Sequence, residues 1–577
     1  MTVNQYGPKT KAADALHAMK YRTEGESFRE AAQRVAFALK DDDRHYHELR
    51  EILLAMRFMP AGRVQNAMGA SRMTTPYNCF VSGTIADSYV EGSGSIMARA
   101  HEAAATMRMG GGIGYDFSTL RPRGFMVSKL GSQSTGPVSF MDIFNAVCLA
   151  TSSSGHRRGA QMGVMRVDHP DIEEFVRAKQ NEDRLRGFNL SIAVTDEFME
   201  AALSGKPFRL RWQPDASRDA LGEREIDAAE LWEKIMRSTW DWAEPGVIFI
   251  DRVNRMNNLY YAETIAATNP CGEQPLPPYG ACLLGSINLP AYLVKGPGGY
   301  SFDYDLLKRD IPIVVRGMDN VVDRARYPLP EQRVEAVTKR RMGIGVMGLA
   351  NALEALGYPY GAPEFLALEG NLLAFINAEC YRASVDLARE KGSFPRFDVE
   401  KHLAGEFVRN LPEDIVAGIR RYGIRNSHLT SIAPTGTISM CCDNVSGGIE
   451  PVFSYVIERP INTPDGTMMA KIEDYGYAAL GVSGKRFDEV SVDEHVDVLV
   501  AAQRHVDSSV SKTCNVPSST PWASFKDIYR RAWEEGAKSC STFTNGGRRG
   551  GLLSAAEGSR EEAACTIDPE TGIRSCE

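Results

Sequence analysis

Three observations predict an α/β fold. Apolar residues recur at helical spacing near the N-terminus, glycine-rich turns alternate with apolar segments through the middle of the chain, and the composition supports a large packed core. Of 577 residues, 43% are hydrophobic and 24% are charged, the balance of a globular protein. The length exceeds one ordinary core but suits a single large barrel with appended helices.

Residues 10–57 read as helical, with Ala31, Ala32, Val35, Ala36 and Leu39 recurring near helical spacing. Pro60 and Gly62 break that pattern, so residues 1–60 are expected to be an N-terminal helical region. Between residues 79 and 289, glycine clusters at 110–114, 124, 131–136 and 155–159 separate apolar segments, as loops between strands and helices do. The first cluster lacks the Gly-x-Gly-x-x-Gly order of a dinucleotide-binding loop. The charged stretch from Trp212 to Glu230 reads as an excursion between elements. Residues 313–326 and 347–356 read as helices, and a short apolar run near Ile432 ends in Pro434-Thr-Gly-Thr, with a helix expected from about Thr437. The last forty residues are rich in Gly, Arg, Glu and Ser and carry few apolar anchors. They read as a mobile tail, set at residues 546–577, which leaves 61–545 as the central domain.

The net charge of −8 argues against a nucleic-acid-binding protein, which needs a basic face for phosphates. No apolar run reaches the ~18 residues of a membrane span, and residues 1–20 lack the apolar stretch of a signal peptide. A cytoplasmic location is therefore expected. Eleven cysteines must then live in a reducing compartment, where structural disulfides are rare. The sequence contains no Cys-x-x-Cys, and its 10 histidines form no ligand set with the cysteines, so no metal site is expected and redox chemistry moves up.

The segment Asn269-Pro-Cys-Gly-Glu-Gln-Pro places an amide, a thiol and a carboxylate at alternate positions 269, 271 and 273. In an extended loop, alternate residues share a face, and Pro270 and Pro275 resist helix. A thiol flanked by a hydrogen-bonding amide and a general base suits catalysis. On spacing alone, an ordinary buried thiol beside a turn explains Cys271 equally well. Likewise Pro434-Thr-Gly-Thr, taken alone, is a plain strand-to-helix turn. Its Gly436 would allow close backbone approach, and amides at a helix N-terminus suit an anion without a basic side chain. The adjacent Cys441 and Cys442 read as small buried residues in a helix.

In combination these segments resemble the ribonucleotide reductase family. The matching pieces are Arg57-Phe-Met-Pro-Ala-Gly-Arg, Asn78-Cys79, residues 110–115, Gly136-Pro-Val-Ser-Phe, Arg158-Gly-Ala-Gln, Val167-Asp-His-Pro, residues 269–276 and Pro434-Thr-Gly-Thr-Ile-Ser. They run in order through roughly residues 50–460. The resemblance implies a ten-stranded α/β barrel with Cys271 on a finger loop inside it. It implies a thiyl radical at Cys271 that abstracts the ribose 3′ hydrogen, with Glu273 taking the 3′-hydroxyl proton and Asn269 orienting the substrate. Cys79 and Cys282 would supply the electrons by forming a disulfide, a catalytic intermediate compatible with a reducing compartment. Asn78 and the segment Pro434, Thr435, Gly436, Thr437 and Ile438 would bind the substrate and its phosphate. Asp87, Arg121 and Arg158 would bind a deoxynucleotide or ATP specificity effector, although Arg157 and Arg158 also suit surface ion pairs.

The family divides by radical source. Class I subunits take the radical through two adjacent tyrosines in the C-terminal part of the barrel, and residues 537–545 contain no tyrosine. Tyr260 and Tyr261 are adjacent but lie before Cys271, and read as packing or substrate-pocket residues. Class III enzymes lack the Asn-x-Cys-x-Glu triplet. The expectation is class II, with adenosylcobalamin as cofactor and ribonucleoside diphosphates or triphosphates as substrate. The alternative is a class I large subunit fed by a separate metal-containing subunit. A non-catalytic nucleotide-binding regulator is disfavoured by the complete set of Asn269, Cys271, Glu273, Cys79 and Cys282. Cys565 and Cys576 in the tail are expected to re-reduce the active-site disulfide and to be reduced in turn by thioredoxin or glutaredoxin. The family's N-terminal ATP-cone is not recognisable, so specificity control without an overall activity switch is expected, in a homodimer.

Overall fold

The computed structural model describes residues 6–127, 130–152, 160–180, 184–213, 221–463 and 466–544. Arg158, Cys565 and Cys576 lie outside them. The N-terminal region forms three helices, α1 (Lys11–Tyr21), α2 (Phe28–Leu39) and α3 (Asp43–Leu54). Each starts at a side-chain cap: Thr10 accepts from the Ala13 amide, Asp42 from the His45 amide, and Ser27 forms a capping box with Glu30. The face of α2 read from the sequence is the one that is buried.

The central region is built from strands β1 (Cys79–Val81), β2 (Gly112–Asp116), β3 (Gln161–Arg166), β4 (Phe188–Val194), β5 (Gly246–Phe249), β6 (Ala281–Cys282), β7 (Leu284–Asn288), β8 (Gly343–Met347), β9 (Thr513–Val516) and β10 (Ser539–Thr544). An eight-stranded sheet runs in the order β6-β1-β2-β3-β4-β5-β10-β9. Strands β1 to β5 are parallel throughout, while β6 and β10 join them antiparallel. A second sheet pairs β7 with β8 in parallel and with Phe58–Pro60 antiparallel. Only Leu283 separates β6 from β7. Beyond β8, parallel bridges join Ile344 to Thr430 and Ile432 to Val510.

Successive residues of a strand face opposite sides, and here the two sides belong to different cores. Phe80, Ile113, Tyr115, Phe188, Leu190, Ile192, Val247 and Phe249 join one large core with the helices. Cys79, Val81, Met162, Val164, Ala193, Ile248, Cys282 and Leu284 form a smaller core on the other face. That inner face is narrow-lined, with Gly112, Gly114, Gly343 and Gly345 among its positions, and so leaves room for a loop.

Two elements depart from the sequence reading. The excursion near residue 212 is a hairpin, Pro207–Trp212 with Leu221–Asp227, whose Phe208, Leu210 and Trp212 are buried alternately; a helix already begins at Ala228. The helix expected over 313–326 is α4 (Tyr304–Arg324), which starts nine residues earlier at the Asp303 cap and carries Pro312 within it. Its buried stripe of Leu307, Ile311, Val314, Val315 and Met318 outweighs the local cost of the proline. Residues 539–544, at the end of the central domain read from the sequence, form strand β10. Its small inward residues Ser539 and Ser541 suit a strand facing a filled interior.

Candidate active site

Ala267–Thr268 and Pro275–Leu276 pair as a short antiparallel ribbon, and the loop between them carries the triplet. The tip is a turn: Gly272 N donates to Asn269 O at 3.1 Å, Asn269 N donates to Gln274 O at 3.1 Å, and Gln274 N donates to Asn269 Oδ1 at 3.0 Å. Gly272 has φ +84°, a conformation that favours glycine. The ribbon lies against the inner face of the sheet. A methyl group at Gly114 would overlap the Thr268 carbonyl, and one at Gly112 would come within 3.2 Å of the Pro270 ring and 3.3 Å of Cys79 Sγ.

Two walls hold the tip. Asn189 Nδ2, from β4, donates to Pro270 O at 3.1 Å. Opposite it, Ser431 Oγ and the Ser509 amide donate to Glu273 O at 2.9 and 3.0 Å. Neither Asn189 nor Ser431 stands in a motif that marks it for this job. For Asn189 the available signal is a polar residue at an inward position of a mostly apolar strand.

The three thiols meet here. Cys79 and Cys282 are direct cross-strand partners in the β1–β6 pair, a placement that brings Cα atoms to about 4.5–5.5 Å and lies within disulfide range. Both are buried, while Cys271 is partly exposed. Burial pushes the Cys282 thiol well above its ordinary range, and nearby Glu273, Cys79 and Cys271 add to that rise. Cys282 is thus held as a neutral thiol.

Burial also pushes the Glu273 carboxyl up to about 7, against the pull of the Asn269 amide and the Cys271 thiol. Among the described residues, Asn269 Nδ2 sits close enough for that pull yet makes no sound hydrogen bond, and Glu273 Oε2 is likewise buried without a partner. Buried polar atoms normally find partners, so this donor and acceptor have hydrogen-bonding capacity to offer a ligand's hydroxyl groups. Asn78 adjoins them: its amide donates to Cys282 O at 3.2 Å and its carbonyl accepts from Gly112 N at 2.9 Å.

The segment after Ile432 turns at Thr435, φ 58° and ψ 16°, into helix α5 (Gly436–Cys441), one residue before the position read from the sequence. The first i→i−4 bond runs from Ser439 N to Thr435 O, which leaves the amides of Gly436, Thr437 and Ile438 at the helix end. Thr435 Oγ1 accepts from Gly448 N at 2.8 Å and braces Pro434 and the turn. Cys441 and Cys442 are buried in a cluster with Ile438, Met347, Met59 and, from α1, Leu16 and Tyr21. Elsewhere, Asp87 and Arg121 come together: the Arg121 amide and Nε each donate to the Asp87 carboxylate at 3.0 Å. Tyr260 and Tyr261 donate to the carbonyls of Lys401 and Arg396.

An interior loop that carries one partly exposed thiol against a buried dithiol and a high-pKa carboxyl defines a redox enzyme of the thiol type. The chain matches the family model of the ribonucleotide reductase barrel domain over residues 77–485 and 485–543, and it belongs to the ribonucleotide reductase family. It is 36% identical over 490 residues to a vitamin B12-dependent ribonucleoside-diphosphate reductase of Mycobacterium tuberculosis, covering 80% of this chain and 67% of the relative. A protein of the same description from Thermoplasma acidophilum is 32% identical over 531 residues, covering 86% and 65%. A vitamin B12-dependent ribonucleotide reductase of Streptomyces clavuligerus is 26% identical over 642 residues, covering 96% and 65%. The chain spans about two thirds of the length of these relatives.

Proposed function

We propose that this protein is a cobalamin-dependent ribonucleotide reductase that converts ribonucleoside diphosphates to 2′-deoxyribonucleotides. The observation that carries this reading is the meeting of Cys271, Glu273 and the Cys79–Cys282 pair on one inner face. Names of the relatives at 32–36% identity support the diphosphate substrate and the cofactor.

The tip fits a radical source that must reach Cys271. That thiol is partly exposed, and among the described residues a Cβ on the neighbouring Gly272 would find only Ser539 Oγ, at 3.9 Å. The Gly272–Ser539 side would therefore face the cofactor, read here as adenosylcobalamin. When bound, the cofactor supplies a carbon-centred radical as the oxidising equivalent. Cys271, as a thiyl, takes the ribose 3′ hydrogen, Glu273 accepts the 3′-hydroxyl proton, and Asn269 orients the sugar. One of the thiol hydrogens of Cys79 and Cys282 leaves with the 2′-hydroxyl as water and the other ends on C2′. A disulfide forms between the two sulfurs, Cys271 returns its hydrogen to C3′, and Glu273 returns its proton to the 3′ oxygen.

The remaining assignments extend this reading. Asn78 and the Pro434–Ile438 turn with its Gly436 and Thr437 amides would hold the substrate, and Asp87 with Arg121 and Arg158 an effector nucleotide. Cys565 and Cys576 would pass electrons from thioredoxin or glutaredoxin, in a cytoplasmic homodimer divided at residues 60 and 545. The bridges at Thr430 and Val510, with β6 running on into β7, support closure of the sheets into a ten-stranded barrel.

The test is anaerobic CDP reduction by the purified chain with dithiothreitol, with and without adenosylcobalamin. Turnover that requires the cofactor is the expected result. Turnover only after addition of a metal-containing partner subunit would overturn the cofactor and favour the class I reading. No turnover with either radical source overturns the reductase activity itself.

A further inference from the structure

The triplet explains what happens at Cys271 but not what fixes the height of its sulfur in the interior. The tip from 271 to 273 hangs between two carbonyls, those of Pro270 and Glu273. The Glu273 carbonyl is held twice, by the Ser431 hydroxyl and the Ser509 amide. The Pro270 carbonyl, which belongs to the peptide bond leading into Cys271, is held by the Asn189 amide. Asn189 is 1% exposed and sits on β4 between the outward Phe188 and Leu190. Its other amide atom, Oδ1, is buried without a partner among the described residues. A side chain that strands a buried acceptor in order to donate at one loop carbonyl is oriented for that contact.

We infer that Asn189 is a positioning residue that sets the reach of Cys271 toward the substrate. This rests on the reductase reading. Hydrogen transfer to a thiyl depends steeply on separation, and a displacement of about 1 Å at a reacting atom can cost on the order of a hundredfold in rate. Losing the Asn189 donor releases the Cys271 side of the tip, while Ser431 and Ser509 still fix the Glu273 side. The sulfur therefore moves relative to the carboxyl.

The experiment compares Asn189→Asp and Asn189→Ala with the unsubstituted full chain, loaded with adenosylcobalamin and assayed with CDP and dithiothreitol. A fall in kcat of roughly ten- to a hundredfold, with KM for CDP within about twofold, is expected. The new carboxyl can donate to Pro270 O only when protonated. The activity of Asn189→Asp relative to the unsubstituted chain should therefore rise as pH is lowered, while that of Asn189→Ala should stay level. A second readout needs no turnover: the rate of iodoacetamide alkylation at Cys271 in the cofactor-free chain, followed by peptide mass spectrometry, should change at least threefold in both variants. If only one variant folds, it carries the comparison. Unchanged kcat, parallel changes in kcat and KM, or an unchanged alkylation rate at Cys271 overturns the positioning role. Absence of CDP reduction by the unsubstituted chain overturns the reductase reading instead, and the alkylation rates still decide the clamp.

Discussion

Glu273 is a carboxyl whose surroundings favour its neutral form, and that has consequences with opposite signs for activity and for stability. As a base it must be ionised, so kcat/KM for CDP should rise with pH through about 7; a rate that stays level from pH 6 to 8 would contradict that role. For stability, the folded carboxyl keeps its proton where the unfolded one, near its ordinary 4.5, has lost it. The group's contribution is therefore fully present below about 4.5, declines as pH rises toward 7, and is level above that. Glu273→Gln should accordingly stabilise the fold at pH 8 by on the order of 3 kcal/mol while removing turnover, which thermal melts and assays check together. Cys271→Ser should abolish turnover. Cys79→Ser should stop multiple turnover with thioredoxin, and in the unsubstituted chain one turnover without reductant should leave a Cys79–Cys282 disulfide detectable by peptide mapping. The triplet stood out as a candidate because its residues are close in sequence and chemically distinctive. Spacing alone left Cys271 equally well explained as a buried thiol, and the family resemblance supplied its roles. Asn189 and Ser431 did not stand out, because an isolated polar residue acquires meaning only when the fold brings it opposite a loop carbonyl.

Elements were legible where a periodic pattern is local. The buried face of α2 follows from its spacing, whereas its start, at the Ser27–Glu30 capping box, emerged from the structure. Strand β10 carries no local apolar alternation, because two of its three inward positions are Ser539 and Ser541. The finger loop demands space on β2: at Gly114 there is room for a hydrogen but not for a methyl beside the Thr268 carbonyl. Gly114→Val should therefore displace the ribbon, cost about 1–3 kcal/mol, and lower kcat far more than the melting temperature implies. Equal stability and activity to the unsubstituted chain would show that the ribbon does not press on β2. The N-terminal helices also reach the site, because Asp443 after α5 accepts from the amides of Lys9 and Thr10 while α1 packs on Ile438 and Cys441.

At the scale of the molecule, the sequence pattern suggested only alternating strands and helices; strand number and order depend on pairings between segments hundreds of residues apart. The closure proposed here depends on a few such links. Ile344 N donates to Leu429 O at 2.8 Å and Ser431 N to Ile344 O at 3.2 Å, while Ile432 N donates to Ser509 O at 3.2 Å and Ser511 N to Ile432 O at 2.8 Å. These bonds lie in short segments where a ladder is hard to recognise, yet they fall between β8 and β9 where a gap would otherwise leave two open edges. An open edge exposes its amides to water and exchanges them by local fraying, whereas a closed wall exchanges them only through large cooperative opening. Native-state hydrogen exchange on the full chain separates the two. In a closed barrel, the amides of Ile344, Ser431, Ile432 and Ser511 should be protected to the same degree as those of β3 and β4. Exchange of these four at loop rates, with β3 and β4 still protected, would mean that the wall is open beside the Glu273 anchor. The clamp on the Cys271 tip would then be one-sided, held by Asn189 alone.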